Sequence, residues 1–215
     1  MNELCTVTGS FHQGNEELFG LNAGKQCVVN SLVAIIFNAT ASCFAETWNS
    51  TKMDDILRVG NSLYSYIHLS IKEDLLLLSE IPSALSLDDE TYRLSYSESI
   101  AGDVNMLESR ECYFSLLEGL LSLRRRYNAF LLTIFCNTVA IFFAEDKIKL
   151  FDAHSRDKWG NACSEGTSVL LEFSRLEKLI EYLQWFYSCS KVVPFEVIGV
   201  HVNVQRMWCK DGGQV

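Results

Sequence analysis

The chain has 215 residues, a formal net charge of -9, an apolar fraction of 48% and only two prolines. That length suits one domain with a sizeable core, and the composition argues against long disordered linkers. The acidic balance argues against nucleic acid as the main partner, and a monomer is expected.

In chain order, an arm and loop run to Gln26, and Cys27 opens a helix to about Ala45 that is apolar nearly all round and so central. A second helix is predicted over Met53 to Ser70 and a short one over Lys72 to Ser79. Pro82 to Glu111 reads as polar and irregular, with one strand at Tyr92 to Tyr96. A helix from Tyr113 ends in Arg124-Arg-Arg126, where cations complement the negative end of the helix dipole. The longest apolar stretch, Ala129 to Ala144, is broken by Asn137-Thr138 and falls short of the ~20 residues of a spanning helix. It reads as two buried strands, Ala129 to Phe135 and Val139 to Ala144, followed by a third at Lys147 to Ala153. A loop over Asp157 to Gly166, a strand over Thr167 to Phe173, a helix over Ser174 to Ser188 and a strand over Phe195 to Val204 complete the chain. A helix-rich front and a sheet-rich back suit an α+β fold. The expected organisation is one catalytic domain over 1–205 and a tail over 206–215.

No basic run followed by an apolar stretch opens the chain, so neither a signal peptide nor a membrane association is expected. Eight cysteines without regular spacing point to free thiols in a reducing, cytoplasmic compartment. None forms a Cys-x-x-Cys pair, so a structural zinc is not expected. The sequons at Asn38 and Asn49 carry no meaning for a chain outside the secretory route.

Gly20-Leu-Asn-Ala-Gly-Lys-Gln-Cys-Val-Val-Asn-Ser31 places Cys27 at the first turn of the buried helix, behind a glycine-bearing loop. The positive end of a helix favours thiolate over thiol. Gly20 and Gly24 would let a substrate backbone come close, with no Cβ in the way. The competing reading is a small apolar core residue, a common fate of cysteine.

A Cys-His hydrolase also needs an imidazole to take the thiol proton and a group to orient it. The strand at Lys147 to Ser155 puts Ile148, Leu150, Asp152 and His154 on one face, with a carboxylate in reach of the imidazole. His201, with Asn203 two residues on, is a poorer version of the same pattern. His68 reads as a half-buried surface histidine, and His12 flanks the loop before Cys27 with no carboxylate beside it. His154 with Asp152 is preferred.

Ser10-Phe-His-Gln-Gly-Asn-Glu-Glu-Leu-Phe-Gly20, Ala23-Gly-Lys-Gln-Cys27, Asn30-Ser31 and Phe151-Asp-Ala-His-Ser-Arg156 together resemble the herpesvirus large tegument protein deubiquitinase domain, which has bacterial and eukaryotic relatives. The resemblance runs from Ser10 to about Val204. It implies Cys27 as nucleophile, His154 as base, Asp152 as its orienter and Gln13 as oxyanion-hole donor. It implies ubiquitin or polyubiquitin as partner and no metal or other cofactor. By analogy it implies a papain-like fold: a central, mostly antiparallel sheet flanked by helices, the nucleophile at the N-terminus of a buried helix. The cysteine box also resembles that of cellular ubiquitin-specific proteases, but the histidine box of that family has no match here. The expected activity is thiol-dependent hydrolysis after the C-terminal glycine of ubiquitin, in the cytoplasm or, for a viral chain, the virion tegument. Two alternatives are a catalytically silent ubiquitin-binding module and a cysteine protease or amidase acting on another modifier. The acidic residues Asp88, Asp89, Glu90, Glu98, Asp103, Glu108 and Glu111 are the candidate clamps for the arginines of a ubiquitin tail.

Overall fold

The computed structural model describes residues 6–44, 47–69, 74–87, 90–111, 113–144 and 147–205. Ten strands join one sheet, whose path runs β1 (Thr6–Thr8), β9 (Thr167–Phe173), β8 (Lys147–Arg156), β7 (Asn137–Ala144), β6 (Ala129–Ile134), β10 (Pro194–Gln205), β3 (Glu90–Tyr96), β2 (Ala84–Leu87). Off this path, β4 (Ile100–Asp103) pairs with β10 and with β5 (Phe114–Ser115). The β4–β5 pair is parallel and every other pair is antiparallel. The sheet is therefore mostly antiparallel and flanked by helices, as expected.

Two helix pairs cover its two faces. On one face lie α2 (Cys27–Phe44) and α3 (Ser50–His68), packed over Leu131, Ala140, Phe142, Phe151 and Ala153. On the other lie α4 (Leu116–Arg124) and α5 (Leu176–Phe186), over Phe130, Leu132, Ile141, Ile148 and Leu150. The strand alternation of period two produces this division, since neighbouring residues such as Leu150 and Phe151 enter opposite cores. Helix α2 is apolar all round because α3 and the sheet both cover it: Val28 to Phe37 are buried without a break, Asn30 and Ser31 included. Each fully buried Leu or Ile there contributes roughly 1.5–3 kcal/mol. Helix α3 is amphipathic, burying Met53, Ile56, Leu57, Gly60, Leu63, Tyr64 and Ile67 at helical spacing. Asn49 caps it, accepting from the Lys52 N–H at 2.9 Å. Gly60 in mid-helix costs roughly 1 kcal/mol against alanine. Its reason is local: an added Cβ would lie 1.9 Å from Asn30 Oδ1 and 3.2 Å from Asn30 Cα.

Several elements depart from the sequence-based expectation. The arm before Cys27 contains β1 and a short helix α1 (Glu16–Phe19), the latter capped by Asn15. The segment from Pro82 to Glu111 holds three strands instead of one: β10 is long enough to pair with both β3 and β4 along one edge, and β2 pairs with β3. Helix α4 starts at Leu116 because Ser115 caps it and the preceding residues form β5. Of the helix expected over Lys72 to Ser79, Lys72 and Glu73 lie outside the described residues, and the rest is irregular chain leading into a 3₁₀ turn at Leu78–Glu80. The expected tail over 206–215 also lies outside the described residues. No single helix among the described residues is long and apolar enough to cross a membrane.

Candidate active site

Cys27 is the first residue of α2, 3% exposed. The first N–H groups of a helix lack intrahelical partners, so the local field favours an anion. The β6–β7 turn abuts the sulfur, and the Cys27 thiol donates to the Cys136 carbonyl at 3.7 Å. Burial would push the thiol pKa up. Hydrogen bonding to His154, the His154 charge, and the N–H and hydroxyl of Thr138 outweigh it and hold the pKa below the ordinary value.

Strand β8 delivers the other two groups. Asp152 Oδ1 accepts from the His154 backbone N–H at 2.9 Å and lies 2.6 Å from its Nδ1. Nδ1 therefore carries a proton, and Nε2 is left for the thiol. Burial would lower the His154 pKa, but the Asp152 carboxylate and the Cys27 sulfur raise it to about 9. Asp152 is 4% exposed. Burial would raise its pKa, yet the charges and hydrogen bonds of His154 and Arg156 hold it well below the usual carboxylate range. Arg156 Nε donates to Asp152 Oδ2 at 2.7 Å, and its guanidinium lies over the Phe186 ring at 4.6 Å. The β8–β9 register shifts between Asp152 and Arg156, two residues that strand alternation puts on one face.

Gln13 comes from the arm, which is tied to the sheet edge. Gly9 N–H donates to Ser168 O and Ser168 N–H to Phe11 O, both at 2.9 Å. Gln13 N–H donates to Ala153 O at 2.9 Å, next to His154, and its carbonyl accepts from Gly24 N–H at 3.0 Å. Gly24 has φ +80, open to glycine at no steric cost, and nothing lies within 4 Å of a Cβ built there. The Gln13 side chain is 1% exposed. Its Oε1 accepts from Asn30 Nδ2 at 3.2 Å, whereas its buried Nε2 has no hydrogen-bond partner among the described residues.

The structure thus brings Cys27, His154, Asp152 and Gln13 to one place. His12 also lies near, its Nδ1 accepting from Gly14 N–H at 3.1 Å. Burial, then the His154 charge, lowers its pKa, so it stays neutral. His201 is exposed on β10, and His68 is half-buried at the end of α3, stacked on Tyr64. Sequence reading gave no role to Arg156, Asn30 or Thr138. Asn30 was within reach of helical periodicity, three residues after Cys27 on the same face. Arg156, two residues past His154, shares its strand face and so had a local signal, whereas Thr138 needed a contact across the fold. Among the described residues no three His, Cys, Asp or Glu side chains group as metal ligands.

A thiol at a helix N-terminus, an imidazole beside it and a carboxylate behind, on a helix-flanked antiparallel sheet, are the arrangement of the papain-like cysteine hydrolase class. The chain belongs to the family of the herpesvirus tegument protein N-terminal conserved region, which matches residues 8–204. It is 26% identical over 186 residues to the large tegument protein deneddylase of Human herpesvirus 6B (strain Z29). That match covers 82% of this chain and 9% of the relative, so the chain spans less than a tenth of that protein's length. Its fold is that of the ubiquitin-specific protease encoded by murine cytomegalovirus tegument protein M48, solved with a ubiquitin-based suicide substrate. The TM-score is 0.77 at 18% identity, covering 95% of this chain and 88% of the other.

Proposed function

We propose that the chain is a thiol-dependent protease that cleaves the (iso)peptide bond after the C-terminal glycine of ubiquitin. The observation that carries the reading is the continuous relay from Cys27 through His154 to Asp152. Cys27 attacks the glycine carbonyl as thiolate, and His154, which has taken the thiol proton, returns a proton to the leaving lysine amine. Asp152 holds the imidazolium. The oxyanion is met by the Gln13 amide and the N–H of Cys27. Water then releases the modifier from the thioester, with His154 as base. The chemistry draws on these side chains alone. Ubiquitin or polyubiquitin is the partner of a monomeric enzyme. The compartment that suits free thiols and tegument relatives is the virion tegument or the interior of the host cell.

The deneddylase named among the relatives supports a second reading, in which the same site acts on a ubiquitin-like modifier. Probes carrying a thiol-reactive group at the C-terminus of ubiquitin, or of the modifier removed by deneddylases, test both. The ubiquitin probe should label the wild type and not Cys27→Ala, which should keep its fold and its ubiquitin affinity. Labelling that persists in Cys27→Ala but is lost with Cys163→Ala would overturn the assignment. Stronger labelling by the other modifier would favour the second reading.

A further inference from the structure

We infer that Asn30 is the positioning residue of the oxyanion hole: its side-chain amide turns Gln13 so that N–H groups, and not the amide oxygen, face the carbonyl under attack. The inference rests on the reading of Gln13 as oxyanion donor given above.

The two ends of a glutamine amide have nearly the same shape, and the terminal torsion is broadly two-fold. A buried Gln13 with no fixed partner would therefore present oxygen to the reacting carbonyl part of the time. An oxygen there repels the developing negative charge. Asn30 removes this ambiguity, because its Nδ2 donates to Gln13 Oε1 at 3.2 Å and commits the oxygen. The free end is Nε2, buried and without a hydrogen-bond partner among the described residues. The Gln13 backbone is held at both of its polar groups, by Ala153 O at 2.9 Å and Gly24 N–H at 3.0 Å, so only the side-chain amide remains to be set.

Asn30 faces the same ambiguity, and Gly60 resolves it. A Cβ built on Gly60 would lie 1.9 Å from Asn30 Oδ1, which is buried without a hydrogen-bond partner among the described residues and occupies the space a side chain at Gly60 would fill. A Cα–H group is a weak donor and suits an oxygen. The reversed Asn30 would press its NH₂ on the Gly60 methylene and turn its oxygen toward Gln13. Gly60 thus sets Asn30, and Asn30 sets Gln13. Asn30 and Gln13 are each 1% exposed, so water does not compete freely for either amide.

The test measures kcat and KM for a ubiquitin–fluorophore substrate with the full chain, per folded molecule, beside thermal unfolding. The variants are Gln13→Ala, Asn30→Ala, Asn30→Ser, Gly60→Ala and the double variant Gln13→Ala/Asn30→Ala. Gln13→Ala should lower kcat by roughly 10²–10³-fold, the cost of one lost donor. Asn30→Ala, or Asn30→Ser should the alanine variant not fold, should lower kcat at least tenfold with little change in KM. In the Gln13→Ala background the same change should cost kcat nothing more, since residues that act as a unit are not additive. Gly60→Ala, which keeps both amides, should also lower kcat and not KM. An Asn30 loss that repeats in full in the Gln13→Ala background, or a change in unfolding temperature alone, overturns the inference while the Gln13 assignment stands. An unchanged kcat in Gln13→Ala overturns that assignment and the inference with it.

Discussion

At the scale of single residues the site is an electrostatic arrangement with a definite pH signature. Cys27 is held below its ordinary pKa and His154 is raised to about 9, so the thiolate–imidazolium pair exists between the two. Activity should rise as Cys27 loses its proton and fall as His154 loses its own near pH 9. Asp152→Asn removes the negative charge that raises His154, so the alkaline limb should move to lower pH; an alkaline limb that stays in place would show that Asp152 does not hold the imidazolium. Arg156 is part of the same arrangement, with side-chain exposures of 9% for Arg156 and 5% for Asp152. Removing one partner of such a buried pair strands the other. Arg156→Gln should therefore destabilise by about 3–5 kcal/mol, read by denaturant unfolding. A loss under 1 kcal/mol would show that His154 alone satisfies the carboxylate.

At the scale of elements, the β6–β7 hairpin abuts Cys27, the proposed nucleophile. Its turn places Phe135 at φ 54, a conformation rare for a bulky residue, and the next carbonyl, that of Cys136, accepts from the Cys27 thiol. Thr138, just past the turn, supports the thiolate with its N–H and hydroxyl, and its Oγ1 lies 2.8 Å from Thr133 Oγ1. Phe135→Gly should keep this turn, since glycine adopts positive φ freely. Phe135→Pro cannot, because the ring fixes φ near −65°. The proline variant should lower kcat and raise the pKa of Cys27, followed by the rate of thiol alkylation against pH. Equal alkylation profiles for the two variants would separate the hairpin from the nucleophile. Much of this scale was legible beforehand. Helix α2 was expected from Cys27 to about residue 45 and runs to Phe44, because an unbroken apolar run of that length has few other fates. Strand β9 was expected at its observed bounds. Between Pro82 and Glu111, β3 was expected at Tyr92 to Tyr96, whereas β4 was missed because its pairing partner, β10, lies some ninety residues further along the chain.

At the scale of the whole molecule, the net charge of -9 suits a basic ligand segment, and the fold now sorts the acidic candidates. Asp103 is 7% exposed and accepts from the backbone N–H groups of Asn105 and Val193, so it serves the fold. Asp88 and Asp89 lie outside the described residues. Glu90 accepts from the Tyr92 hydroxyl on β3. Pro194 pairs with Asp103 and its carbonyl accepts from the Phe135 N–H, which brings the loop after β4 to the same end of the sheet as the turn beside Cys27. Glu108 and Glu111 are both exposed in that loop, and we propose these two as the carboxylates that meet a basic ligand tail. Charge reversal at either should raise KM for ubiquitin substrates, more at low salt than at high salt, because exposed pairs are screened. Reversal of Glu98 serves as the control. Equal KM values in all three variants would place tail recognition elsewhere.

The sequence by itself determined the local matters. A periodicity of two joined Asp152 to His154 on one strand face, and a polar loop before an apolar run put Cys27 at a helix start, because these depend on neighbours a few residues away. Only the tertiary structure decided that the strand end meets that helix start. It alone decided that an arm tied to Ala153 brings Gln13 there, and that Thr138 joins the surroundings of Cys27. Those contacts join residues up to more than a hundred positions apart, and no spacing rule along the chain encodes a distance that packing sets.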